Sequence, residues 1–187
     1  MPQNNIAEFL EKERNLGKVI RFSARSRIKD ESVAEHSFHA AFYSMLLADM
    51  EMQAGKSIDV EKLLRAALLH DLEECVTGDI MHTFKYSDRK ASEEIKRISA
   101  QFFSELMDSL PEHMGEKYKK SWSEAKSDTI EGKILMAADR LEALLYAMHE
   151  CSLGNSTFQP IVEEIKEKIR AVGLESANRV LEGLEAT

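Results

Sequence analysis

Side chains that can bind a metal ion occur in segments whose other residues predict buried apolar helices. His70 and Asp71 follow the apolar run 63–69, His36 lies within the segment 33–38, and Asp139 ends the apolar run 134–138. Burying an ionised carboxylate costs several kcal/mol unless an opposite charge or a metal compensates it. Any one of these residues alone is better explained as a satisfied buried polar group. Together they predict a metal site.

The segments that must position these side chains are predicted to be helices. Ser32 and Glu35 have the spacing of a capping box, and the helix that they begin should run to Gly55. Asp59 can cap a further helix that continues through about Cys75. His36 would lie in the first turn of one helix, and the His-Asp pair near the end of the next.

The rest of the chain shows the same helical periodicity. Residues 6–20 suggest a first helix or helix pair, and an irregular loop is expected between residues 79 and 87, where substrate contacts are common. Further helices are expected from Ser87 or Asp88 to Leu110, Pro111 to about Lys126, Asp128 to about Cys151, Thr157 to Val172, and after Leu174.

Composition agrees with an all-α fold. The chain has 187 residues, of which 43% are hydrophobic, and helix-forming residue types dominate, so one domain spanning 1–187 is expected. A formal net charge of -8 argues against a binder of nucleic-acid polymers. A small phosphate ester is still an acceptable ligand, because a metal ion and local basic residues can make one cleft positive.

The cysteine pattern and the hydropathy point to a cytoplasmic protein without membrane association. Cys75 and Cys151 form no CxxC motif, and disulfides are not expected. The segment 1–5 does not read as the start of a secretory signal, and the chain has no run of 18 apolar residues.

The order of these motifs resembles the HD superfamily of metal-dependent phosphohydrolases. Glu35-His36-Ser37, the run His70-Asp71-x-x-Glu74-x-x-Thr77-Gly78-Asp79, and Ala138-Asp139 are similar to its bacterial 5'-deoxynucleotidase branch, over residues from about 21 to 155. The resemblance implies an HD-domain bundle of about seven to eight helices, with the helices of 157–187 packing on that core.

The resemblance also implies one divalent transition-metal ion. Its ligands would be His36, His70, Asp71 and Asp139. Two imidazoles and two carboxylates suit Mn, Fe, Co, Ni or Zn, and the sequence does not select among them. Four protein ligands leave positions for water and a phosphate oxygen.

Two acidic residues after the His-Asp pair receive roles from the same resemblance. Glu74, one helical turn beyond His70, would act as an acid or base, whereas adjacent Glu73 reads as an ordinary solvated residue. Asp79 would face the sugar or orient the nucleophile, and a cap on the turn is an equally supported alternative.

Substrate contacts are expected from Arg21 and Phe22, where the deoxynucleotidase pattern has an Arg followed by a Trp. The Arg would hold phosphate or sugar oxygens, and the ring would shape the sugar pocket. Because Phe22 lacks the indole N–H, we expect deoxynucleotides to be preferred over ribonucleotides by no more than about 10²-fold. Lys85 is a further candidate contact, for which solvated surface charge is the plainer interpretation.

The function that the resemblance implies is that of a 5'-nucleotidase. It would remove phosphate from nucleoside monophosphates, mainly deoxyribonucleotides, by direct attack of a metal-bound water. Hydrolysis of a nucleoside triphosphate or a guanosine polyphosphate is an alternative within the superfamily, and a helical interaction module with a vestigial site is an alternative outside catalysis. The family suggests a homodimer.

Overall fold

The computed structural model describes residues 5–80 and 88–186, which form helices joined by short connectors. Eight of the described helices have eight or more residues, which confirms the predicted all-α bundle. No helix in these residues is long and apolar enough to cross a membrane. The helices are α1 (Ile6–Glu13), α2 (Val33–Gln53), α3 (Val60–Leu69), the single turn α4 (Glu74–Thr77), α5 (Arg89–Met107), α6 (Glu112–Ser123), α7 (Ile130–Ser152), α8 (Gln159–Val172) and α9 (Glu175–Glu185).

Local capping signals set the starts of the helices that carry the site. The Ser32 hydroxyl accepts a hydrogen bond from the Glu35 amide at 3.2 Å, and the Glu35 carboxylate accepts one from the Ser32 amide at 2.8 Å, so the predicted capping box is present. Asp59 caps α3 as predicted. Both caps depend only on residues three apart, which is why the sequence alone predicts them.

The third predicted helix is wrong in one respect: it does not continue unbroken to Cys75. The His70 ring donates from Nδ1 to the carbonyl of Ala67 at 2.7 Å, the acceptor that a continuous α-helix would offer to the amide of Asp71. The chain then turns through i→i+3 hydrogen bonds, such as that from the Glu74 amide to the Asp71 carbonyl at 3.1 Å. The side chain of His70, a predicted ligand, therefore interrupts the helix that carries it.

Helices α2 and α7 form the centre of the bundle, and α3, α8 and α9 pack around them. Their apolar faces share one buried cluster that extends from Leu47 on α2 to Leu181 on α9. The Glu51 carboxylate, 1% exposed, accepts a hydrogen bond from the Ser176 amide at 2.9 Å and pairs with Lys56 at 2.6 Å. It thereby joins the end of α2 to the start of α9.

Hydrogen bonds hold the connector between α1 and α2 against α7. The amides of Ile28 and Lys29 donate to the Glu150 carboxylate at 2.8 and 2.7 Å, and the Tyr146 hydroxyl donates to the Lys29 carbonyl at 2.6 Å. Glu150 is fully buried. The segment that contains Arg21 and Phe22 is therefore held against the same helix that carries Asp139.

Candidate metal centre

The proposed metal ligands come together from three parts of the fold. His36 projects from the first turn of α2, His70 and Asp71 from the end of α3, and Asp139 from the middle of α7. His36 Nε2 lies 3.3 Å from Asp71 Oδ2 and 3.3 Å from Asp139 Oδ1, and His70 Nε2 lies 3.1 Å from Asp71 Oδ2. The imidazoles are buried, whereas the two carboxylates are 19% and 22% exposed, so the centre opens on the carboxylate side.

The hydrogen bonds of the two imidazoles assign their tautomers. His70 Nδ1 contacts the Ala67 carbonyl, and His36 Nδ1 contacts the Glu142 carboxylate at 2.5 Å. A carbonyl and an ionised carboxylate only accept, so each Nδ1 carries a hydrogen. In their neutral forms, which are the forms that bind a metal, the two rings would direct the lone pairs of their Nε2 atoms at each other across 3.2 Å. A cation between these atoms removes the repulsion, and the donor set therefore fits a divalent metal.

The charges around the centre favour such a cation. Burial and the charge of Arg21 lower the pKa of His36, but hydrogen bonds to three surrounding carboxylates raise it well above its ordinary range. Burial raises the pKa of Asp139, but the charge of Lys126 and a hydrogen bond from His36 hold it well below its usual value. The carboxylate is therefore ionised at neutral pH and able to bind a metal.

Lys126 contacts the predicted ligand Asp139 directly, a contact that the sequence does not predict. Its Nζ donates to Asp139 Oδ2 at 2.6 Å, while Asp139 Oδ1 faces the imidazoles. Lys126 lies in the connector between α6 and α7, which packs closely on Gly132: a Cβ there would lie 2.1 Å from the Ser127 carbonyl oxygen. Because Gly132 has no side chain, the connector can approach α7 this closely. The approach places Lys126, whose side chain is 41% exposed, at the edge of the centre.

Glu74 and Asp79 follow the His-Asp pair on α4 and just beyond it. Glu74 begins α4, one tight turn after Asp71. The Asp79 carboxylate accepts a hydrogen bond from the Phe22 amide at 3.1 Å, which links the two segments expected to contact substrate. The catalytic roles of Glu74 and Asp79 stay predictions.

The prediction that Glu73 is solvated is wrong. Glu73 is only 5% exposed, and its carboxylate accepts a hydrogen bond from Trp122 Nε1 at 2.8 Å. Trp122 lies on α6, 49 residues further along the chain. The spacing of residues around Glu73 therefore could not predict this hydrogen bond. Glu73 is therefore buried, whereas adjacent Glu74 is partly exposed.

Arg21 lies beside the centre and forms ion pairs with two carboxylates. Its guanidinium NH1 donates to Glu142 at 2.5 Å and to Glu31 at 2.8 Å, and 13% of its side chain is exposed. Burial and repulsion from Glu142 raise the pKa of Glu31 to about 7, although Arg21 opposes the shift. The substrate role of Arg21 stays a prediction, and Lys85 lies outside the described residues.

Phe22 adopts a backbone conformation that is rare for a residue with a side chain. Its φ is +52°, and its ring stacks on Tyr146 with centroids 5.2 Å apart. Holding such a conformation costs about 1–3 kcal/mol and is most common at functional sites. The Asp79 hydrogen bond and the aromatic packing hold the residue there.

Glu142 is the functional candidate that the sequence analysis missed. It lies three residues after Asp139 on α7, is 2% exposed, and interrupts a helix whose other buried positions are mostly apolar. The same signal, a charge at an apolar helical position, marks the predicted ligands.

Comparison with known proteins agrees with the motifs and the fold. The family described as "5'-deoxynucleotidase YfbR-like" matches residues 8–184. A 5'-deoxynucleotidase of Vibrio vulnificus is 30% identical over 141 residues, which cover 75% of this chain and 73% of that protein. A 5'-deoxynucleotidase of Vibrio cholerae is 28% identical over 153 residues, covering 81% and 79%.

Solved structures share the helical arrangement. An HD-domain phosphohydrolase from Listeria innocua superposes with a TM-score of 0.85 at 24% identity, over 95% of this chain and 86% of that one. The PH0347 protein of Pyrococcus horikoshii gives a TM-score of 0.81 at 25% identity, over 95% and 96%. The family match spans nearly all of the described bundle, including every proposed ligand. The chain therefore belongs to the YfbR-like 5'-deoxynucleotidase family and has the HD-domain fold.

Proposed function

We propose that this protein is a metal-dependent 5'-nucleotidase that hydrolyses deoxynucleoside 5'-monophosphates to deoxynucleosides and inorganic phosphate. The observation that carries the proposal is the pair of buried Nε2 atoms 3.2 Å apart, flanked by the carboxylates of Asp71 and Asp139. The curated relatives named 5'-deoxynucleotidase support the substrate class.

In the proposed mechanism the metal centre activates water and phosphate, and a neighbouring residue transfers a proton. A divalent ion held by His36, His70, Asp71 and Asp139 would supply Lewis acidity toward a water molecule and the phosphate. The water attacks phosphorus, and the bond from phosphorus to the 5'-oxygen breaks without a covalent enzyme intermediate. Glu74 moves a proton, either from the attacking water or to the departing 5'-oxygen.

Two basic residues of the chain add positive charge for the phosphate. Arg21 lies beside the ligands, and the Lys126 ammonium lies at their partly exposed edge. Charge-assisted hydrogen bonds from such groups are the usual means of holding a phosphate. We propose that the 5'-phosphate enters from the carboxylate side and that Asp79 and Phe22 border the sugar.

A phosphate-release screen tests the function. Matched deoxy- and ribonucleoside 5'-monophosphates, nucleoside triphosphates and guanosine polyphosphates are incubated with the metal-stripped protein and one of Mn, Fe, Co, Ni or Zn. We expect inorganic phosphate from the 5'-monophosphates, with kcat/KM for deoxy over ribo substrates of at most about 10². Pyrophosphate from the triphosphates or guanosine polyphosphates would favour the alternative hydrolases, and no product with any metal would favour the vestigial module.

We place this activity in the cytoplasm. Both cysteines are unpaired, Cys75 in the interior and Cys151 partly buried, as is usual in a reducing compartment. Burial raises the pKa of the Cys75 thiol to about 11, which keeps it protonated and unreactive.

We further propose a homodimer formed through α2. Phe38, Phe42, Met45 and Leu46 are 64%, 49%, 37% and 45% exposed and follow one another at helical spacing, which we call the α2 stripe. A continuous exposed apolar stripe is typical of an interaction surface, whereas isolated apolar residues are ordinary. A second copy of the chain can cover it with the same surface, as two-fold symmetry requires.

Replacing Phe42 with glutamate is expected to turn a dimer into a monomer. The parent chain of 21.2 kDa should sediment at about twice that mass, and the variant at the single-chain mass, because a charge cannot be buried unpaired in the interface. Leu10→Glu changes a similarly exposed residue on α1, outside the α2 stripe, and should leave the mass unchanged. A monomeric parent, or a dimeric Phe42→Glu variant, contradicts the proposal.

A further inference from the structure

One carboxylate oxygen connects a proposed metal ligand to a buried arginine. Glu142 Oε2 accepts from His36 Nδ1 at 2.5 Å and from Arg21 NH1 at 2.5 Å. Glu142 and Asp139 are three residues apart on α7, so the same helix supplies a ligand and the group behind another ligand.

The contact with Glu142 decides which nitrogen of His36 faces the centre. An imidazole that donates from Nδ1 to a carboxylate keeps its Nε2 lone pair for a metal, and the hydrogen bond also fixes the orientation of the ring. Without an acceptor at Nδ1, either nitrogen could carry the hydrogen. His36 would then present an N–H to the centre for part of the time.

Arg21 compensates the negative charge of the buried Glu142 carboxylate. A carboxylate that is only 2% exposed requires a compensating charge. The guanidinium supplies it and reaches Glu31 through the same nitrogen. Arginine stays charged at all relevant pH values, so the compensation does not depend on pH.

We propose that Glu142 is a positioning residue that fixes the tautomer and orientation of His36, with Arg21 balancing its charge, a role that rests on the proposed metal-dependent function. Arg21 then serves the metal centre whether or not it also contacts phosphate. The two roles of Arg21 differ in what they affect: a phosphate contact alters KM, and support of Glu142 alters metal affinity.

The test measures metal affinity directly. The metal-stripped parent, Glu142→Gln, Glu142→Asp and Arg21→Ala are titrated with Zn or Mn against a chromophoric chelator. We expect Glu142→Gln to weaken metal binding by about 10–100-fold, Glu142→Asp to recover part of the loss, and Arg21→Ala to weaken it as well. Nitrogen NMR of the metal-stripped proteins, at a pH at which the His36 ring is neutral, should show one His36 tautomer in the parent and a mixture in Glu142→Gln.

Glu150→Gln is the matched control. Glu150 is a fully buried glutamate on the same helix, but its carboxylate binds the Ile28 and Lys29 amides and no ligand. It should lose thermal stability and keep the parental metal affinity. Parental affinity and a single His36 tautomer in Glu142→Gln would overturn the role of Glu142, and unchanged affinity in Arg21→Ala would overturn that of Arg21. A parent that binds no metal would instead refute the metal centre itself.

Discussion

Replacing Asp139 with alanine is expected to remove bound metal and phosphatase activity together. Asp139 Oδ1 is 3.3 Å from His36 Nε2, and its other oxygen accepts from Lys126 at 2.6 Å. The variant would lose a predicted ligand and also the carboxylate that pairs with the Lys126 ammonium next to the centre. Both changes disfavour a divalent cation. Elemental analysis after dialysis, together with phosphate release from a deoxynucleoside monophosphate, measures the two losses.

Asp128→Ala is the control for this experiment. Its side chain is 93% exposed and pairs with Lys133 at the surface at 2.9 Å. Such pairs contribute little, so metal content and activity should stay at parental levels. Full metal occupancy in Asp139→Ala would show that Asp139 is not a ligand.

Replacing Glu74 with glutamine is expected to reduce kcat by about 10²–10⁴-fold while metal content stays unchanged. The amide keeps the shape of the side chain but cannot accept or deliver the proton that the proposed mechanism requires. A group needed only in the chemical step lowers kcat and kcat/KM together and leaves substrate binding intact. Steady-state kinetics of the metal-loaded enzyme separate these parameters.

The adjacent glutamate provides the control. Glu73 accepts a hydrogen bond from Trp122 Nε1 and is buried against α6. Glu73→Gln should therefore lower the melting temperature and leave kcat within about threefold of the parent, since its loss affects packing. Unchanged turnover in Glu74→Gln, or an equal loss of kcat in Glu73→Gln, would refute the proton-transfer role of Glu74.

The fold was largely predictable because its signals are local. The Ser32 and Asp59 caps involve residues three apart, and the periodicity of each helix is contained within the helix. The break at residues 70–73 was not predictable, because it depends on the His70 ring reaching the Ala67 carbonyl. Residue type and spacing do not report which way a side chain turns.

The candidate site was predictable to the extent that its residues stand out against apolar surroundings. His36 and Asp139 stand out in this way, and so does Glu142, although its partner Arg21 lies 121 positions away. Lys126 carried no signal, because a lysine in a polar connector is ordinary. Its position depends on the close packing of that connector on Gly132.

The hydrogen bonds between the α1–α2 connector and α7 should slow the exchange of two amide hydrogens with solvent. The Ile28 and Lys29 amides belong to no regular secondary structure, yet both donate to the fully buried Glu150 carboxylate. Their hydrogens can exchange with solvent only when that carboxylate is uncovered, which requires the connector to separate from α7. We therefore expect these two amides to exchange at the slow rate of a helix interior and to share one opening event.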